Sequence, residues 1–240
     1  MASEETTSGN TENQHAGPVH GPMVQASHIE GGVHVHNTAP DRILPQQLPG
    51  VTWHFTGRAT ELAELTSLLD NAEGRAGTVV ISPSEPIGGL GTTALATRWA
   101  AEFASRFPDG ALYVNLHGSD ELAGPPIAPD QVIRGFLYAF GVPAPEGLDA
   151  RLGTYRSVLA GRRVLLLLDD ARDAEQVRPL LPGNSASWAV VTSRRPLPDL
   201  VATAGARPVT VSPLPDDDAR TLLGRHVGDA RLTNEPDAVA

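Results

Sequence analysis

Residues 85–96, EPIGGLGTTALA, set three glycines ahead of two threonines in a spacing that suits phosphate chemistry. A loop of the form G-x-x-x-x-G-K-[ST] surrounds phosphates with backbone N–H groups, puts Lys on the terminal phosphates and turns a hydroxyl toward Mg²⁺. In that register Pro86 stands at the first Gly, Gly91 at the second, Thr92 at the Lys and Thr93 at the hydroxyl. The stretch keeps most of a backbone cradle and lacks its cation. No lysine elsewhere can substitute, because all 18 basic residues are Arg. On its letters alone the stretch reads equally as a structural strand-to-helix turn.

Three further places carry groups that such a site needs. The apolar run RVLLLLDDA (163–171) ends in Asp169 and Asp170. A carboxylate there can hold Mg²⁺ through its water shell, although an Asp at a strand end also caps helices. VVTSRR (190–195) delivers Arg194 to the same edge, where a guanidinium can grip a terminal phosphate bidentately; Arg195 reads as a solvated neighbour. HFTGR (54–58) is, from its residues, a turn followed by a helix start.

These residues need a frame, and the hydrophobic pattern supplies one. Leu62, Leu65 and Leu69 mark a helix over 59–71, and TVVIS (78–82) a strand entering the glycine loop. Leu95, Trp99, Phe103 and Phe107 recur every fourth residue, so a helix starts directly after the loop. Its N-terminus would aim N–H groups at an anion. ALYVNL (111–116) is a strand; Ile133, Phe136, Leu137 and Phe140 mark one helix, and Leu148, Leu152, Tyr155 and Leu159 another. RVLLLL (163–168) has no polar face, as expected of a strand covered on both sides. A short helix at 173–181, strands at 188–193 and 208–212, and a helix at 216–226 with Asp216–Asp218 in its first turn complete the pattern. Five strands with intervening helices predict an α/β, doubly wound, mostly parallel sheet of the P-loop NTPase type.

Composition bounds the function classes. The 240 residues suffice for one good-sized α/β domain with tails, or for two small domains. The formal charge of −10 argues against nonspecific nucleic-acid binding. With no cysteine there is no disulfide, thiol catalysis or thiolate metal site. Neither a membrane-spanning apolar run nor a signal-peptide layout is present, which points to the cytoplasm.

Taken in order, FTGRATELAEL, GGLGTTALATRWA, FPDGALYVNLHG, RVLLLLDDARDAEQVRPLLPG and VVTSRRPLPDLVATAGARPVTVSPL resemble the nucleotide-binding domain of bacterial NB-ARC proteins. These are NLR-like signal-transduction ATPases of the STAND class. The resemblance covers roughly 42–226, and implies a nucleotide-binding domain at 41–228 followed by a tail at 229–240. It implies that Phe55 to Arg58 lie against adenine, and that Gly88, Gly89, Gly91, Thr92 and Thr93 surround the phosphates of ADP or ATP. Thr93 and Asp169 would serve Mg²⁺, Arg194 would sense the terminal phosphate, and strand 188–193 would lie between the loop strand and the Asp169 strand. Thr92 and Pro86 depart from that pattern. A charge-assisted phosphate contact contributes about 1.5–3 kcal/mol, so its loss weakens binding roughly ten- to a hundred-fold. Hydrolysis suffers more, because phosphoryl transfer relies on positive charge held at the developing oxygens, and Asp170 replaces a water-polarising Glu. The G-L-P-L block, winged helix and sensor repeats of full members are not within these residues, so their closing switch is not expected in this polypeptide. The resulting expectation is a regulatory module that binds ADP or ATP weakly with little or no hydrolysis. A slow Mg²⁺-dependent ATPase and a nucleotide-free interaction scaffold are the alternatives.

Residues 1–40 differ, with four Glu, no Arg and five of the eight His. They read as a flexible arm unable to bury a core of its own. Within it, GPVHGPMVQASHIEGGVHVH (17–36) resembles the short amyloid signalling motifs that begin some NLR-like proteins. Val24, Gln25 and Ile29 would carry stacking, either in self-assembly or with a partner sharing the motif. A plain tail, or a metal site using His34 and His36, is also open.

Overall fold

The computed structural model describes residues 44–228 apart from 73, 86–87, 120–123 and 184–185. The arm, with Val24, Gln25, Ile29, His34 and His36, lies outside the described residues, as do Pro86 and 229–240.

Five strands run parallel: β1 (Gly77–Pro83), β2 (Ala111–Asn115), β3 (Leu165–Asp169), β4 (Trp188–Thr192) and β5 (Arg207–Val211). Their order across the sheet is β2-β3-β4-β1-β5, so β4 separates the loop strand from the Asp169 strand. Expected as mostly parallel, the sheet is parallel at every pairing. Among the described residues seven α-helices accompany it: α1 (Ala59–Asn71), α2 (Thr92–Phe103), α3 (Pro129–Ala139), α4 (Leu148–Leu159), α5 (Ala174–Val177), α6 (Pro198–Ala204) and α7 (Asp216–Val227). None of the described helices is long and apolar enough to cross a membrane.

Strand side chains alternate between two cores, as the pleat requires. Val80, Leu112, Leu166, Leu168, Ala189 and Val191 face one core with Ile133 and Phe136 of α3, Tyr155 of α4 and Leu200 of α6. Val79, Ile81, Leu165, Leu167 and Val190 face the other with Leu65 of α1 and Leu95 and Trp99 of α2. β3 is buried at every position, which explains its uninterrupted apolar run.

The structure adds to the sequence pattern in two places. A 3-10 turn at Ala104–Arg106 ends α2, so Phe107 reaches the core from beyond the helix. Helix α6 lies in what reads as a plain connection between 193 and 208. It has seven residues and buries only Leu200, too little for a periodic signal.

Tyr155 ties α4 to the turn after α5: it is 1% exposed, and its hydroxyl donates to the Leu180 carbonyl at 2.8 Å. Burial raises its phenol above the ordinary value of 10.0. Tyr155→Phe should lower unfolding stability by about 1–2 kcal/mol near neutrality, because the buried carbonyl loses its partner. A raised folded-state value gives stability that is full below the unfolded value and is lost as pH rises. In urea titrations the gap between native and variant should therefore narrow above the ordinary phenol value of 10.0. A constant gap would show that the hydroxyl is not titration-linked to folding.

Candidate functional site

The site is built where β1, β3 and β4 end together. β1 leads into the glycine loop, and α2 starts at Thr92 with Gly91 as its N-cap. Gly89 and Gly91 have φ of 86° and 81°, left-handed values that favour glycine. A Cβ would meet nothing within 4 Å at either, so conformation and not space selects glycine here.

Opposite the loop, Asp169 ends β3 with only 3% exposure. Thr93 Oγ1 donates to its Oδ1 at 2.7 Å and Thr192 Oγ1 to the same oxygen at 2.5 Å. The Tyr113 hydroxyl reaches Oδ2 at 3.4 Å. Burial first, then the charge of Asp169 and its hydrogen bond, push the Tyr113 phenol above its ordinary value, so it stays a neutral donor. Among the described residues no cation pairs with Asp169. A buried carboxylate held only by neutral hydroxyls, with a threonine hydroxyl across the gap, is a donor set that fits Mg²⁺.

Asp170, with a left-handed backbone at φ 52°, stands beside Asp169 on the same cavity. Its carboxylate accepts the backbone N–H of Ser119 at 3.1 Å and the Ser119 hydroxyl, and its own N–H donates to Thr192 Oγ1 at 2.9 Å. Thr192 thus organises both aspartates. His117, also left-handed at φ 52°, donates its backbone N–H to the Asn115 side-chain oxygen at 2.9 Å. Of the three described non-glycine residues with positive φ, two lie at this edge, the kind of strain that gathers at functional sites.

Together these groups line a cavity of about 520 Å³. Gly88, Gly89, Gly91, Thr92, Thr93, Asp169 and Arg194 all line it. Phe55 and Arg58 do not line it. Phe55 packs half-buried against the core of α1 and α2, while Pro49, Gly50 and Thr52 take the wall. Arg58, at φ 66° and 8% exposed, turns inward as a clamp. It donates to Glu61 at 2.8 Å, to the Ser212 carbonyl at 2.5 Å and to the Leu90 carbonyl in the glycine loop at 2.9 Å. Arg225 of α7 extends the tie, donating to the Phe55 carbonyl at 3.0 Å and to Thr56 Oγ1 at 2.9 Å. Tyr113, Asn115, His117 and Thr192 escape sequence reading because only strand order brings them to Asp169 and its neighbour.

A parallel sheet with helices on both faces, a glycine loop between β1 and α2 and a buried Asp at the end of β3 define a P-loop-type α/β domain. No family model matches the chain. It is 42% identical over 207 residues to the regulatory protein AfsR of Streptomyces coelicolor, covering 84% of this chain and 20% of that protein. To AfsR of Streptomyces griseus it is 42% identical over 199 residues, covering 82% and 20%. The chain thus spans about a fifth of the length of these curated relatives. Among solved structures, the ORC2 protein of Aeropyrum pernix, determined as ADPNP–ADP complexes, matches with a TM-score of 0.52 at 17% identity. The match covers 73% of this chain and 52% of that one, and shows a shared fold.

The Arg58 clamp predicts a local effect. Arg58→Gln should speed hydrogen exchange at the amides of 88–93, which lose their tie to β5, while β3 amides exchange unchanged. Equal exchange in the loop would mean that Arg58 does not hold it.

Proposed function

We propose that this chain is a nucleotide-binding regulatory module of the NB-ARC, STAND-class type, holding ADP or ATP with Mg²⁺ weakly and hydrolysing little or none. The observation that carries this reading is the Thr93–Asp169 pair, 2.7 Å apart, facing the glycine loop across one cavity. In this reading the N–H groups of Gly88 to Thr93 and the positive end of α2 meet the phosphates. Thr93 and Asp169 hold the cation, and Arg194, 56% exposed, reaches the terminal phosphate. The base would lie toward Pro49, Gly50 and Thr52. Mg²⁺ would supply charge neutralisation between phosphates and Asp169.

The regulatory half of the reading draws on the two AfsR relatives, which carry that description, and the nucleotide half on the fold shared with a protein solved with ADPNP and ADP. Weak turnover follows from chemistry. Thr92 gives no positive charge, and the Asp170 carboxylate already accepts the backbone N–H and the hydroxyl of Ser119. The arm would add assembly: a peptide of residues 17–36 should form thioflavin-positive fibres at neutral pH, and Gln25→Lys should block them by stacking charge.

Calorimetry with Mg²⁺ and ADP should give one saturable site. Thr92→Lys should tighten it at least several-fold, since the new ammonium meets phosphate. Phosphate release from ATP should equal a blank. Absence of binding, or an affinity indifferent to Thr92→Lys, would leave the domain as a scaffold. Release that Asp169→Ala abolishes would make it a slow ATPase.

A further inference from the structure

A second cavity, of about 790 Å³, opens beyond the first at the ends of β3 and β4 and shares Gly88, His117, Ser193 and Arg194 with it. Arg172 and Arg195 stand on the part that is not shared. With Arg194 they place three guanidinium-bearing residues around one cavity of a chain whose formal charge is −10. Positive groups gathered in a concave place on an acidic protein focus its field on an anion.

The hydroxyls on the wall are already engaged, with Ser119 bonded to Asp170 and Ser193 Oγ donating to the Ala171 carbonyl at 2.9 Å. Arg172 is partly engaged: its Nε donates to Asp173 at 2.5 Å, and among the described residues its two terminal nitrogens make no further hydrogen bond. Asp173 is itself occupied as the cap of α5, accepting the Gln176 N–H at 2.8 Å. Arg194 keeps only a long approach of 3.8 Å to Asp170. The Arg195 side chain has no partner among the described residues. Arginine forks of this kind match the oxygens of a phosphoryl group and stay charged at all ordinary pH.

We propose that this cleft is a phosphoryl-binding site distinct from the glycine loop, with Arg172 and Arg195 as its recognition groups and Arg194 shared between the two cavities. The site goes beyond the nucleotide reading and does not require it. Two sources could present the group: the terminal phosphate of a nucleotide in the first cavity, or a separate phosphate-bearing molecule.

Calorimetry on the full chain distinguishes them, with inorganic pyrophosphate as the probe and the Arg172→Gln/Arg195→Gln variant for comparison. If a separate molecule is the source, pyrophosphate binds even with ADP saturating. The double variant then weakens pyrophosphate roughly ten-fold or more and moves ADP less than about two-fold. If the nucleotide is the source, the variant weakens ATP and not ADP, and pyrophosphate does not add to the ATP-loaded chain. Arg195→Gln alone, at an exposed position, gives the same readings in smaller measure and guards against misfolding of the double variant. A double variant that binds pyrophosphate and ATP as the native chain does overturns the proposal. A chain that binds pyrophosphate through these arginines but never ADP would refute the nucleotide reading and leave this one standing.

Discussion

Everything at the working edge of this sheet is arranged around one buried carboxylate. Asp169 is taken out of water at the end of β3, and an ionised group there is costly unless several donors surround it. Three hydroxyls do so from three different elements: Thr93 from α2, Thr192 from β4 and Tyr113 from β2. Those contacts exist only because β4 and β2 flank β3 and α2 starts opposite. The strand order and the site are therefore one constraint. A sheet in which β1 lay directly beside β3 would leave Asp169 without Thr192, and Asp170 without the hydroxyl that receives its N–H.

Much of this was legible in the sequence, for physical reasons that can be named. The uniform apolarity of 164–168 reports burial on both faces, and Gly89 and Gly91 report a backbone turned left-handed before a helix. Long helices with several buried anchors, such as α3, announce themselves by period. Helix α6, with Leu200 as its one buried residue, does not. Register is the other silent quantity. Asn115 pairs with Asp169 across β2 and β3, and nothing in either local sequence says so.

The FTGR block shows how a local motif is redirected by tertiary contacts. Its residues read as a turn before a helix. In the fold Arg58 satisfies two carbonyls, one after β5 and one in the glycine loop, while Arg225 holds the preceding turn from α7. The ends of the domain are thus tied to its glycine loop through hydrogen bonds. A charged donor buried in this way is costly to leave unpaired, so displacement of α7 or of the β5 exit would be felt at Leu90. These hydrogen bonds connect the far helix physically to the glycine loop.

The absence of lysine has a structural counterpart. A P-loop lysine places a compact charge inside the loop, at the phosphate chain itself. Here the nearby cations are Arg194, Arg195 and Arg172, carried just past the ends of β4 and β3 on the opposite wall. Guanidiniums there can grip the outer oxygens of a phosphoryl group but leave the inner phosphates to backbone N–H groups alone. Such a division favours holding a phosphate over breaking it, because charge accumulating on the bridging oxygen in the transition state has no cation at Thr92 to meet it. On this sheet edge the positive charge thus lies outward of the glycine loop, on the strand ends, and not within it.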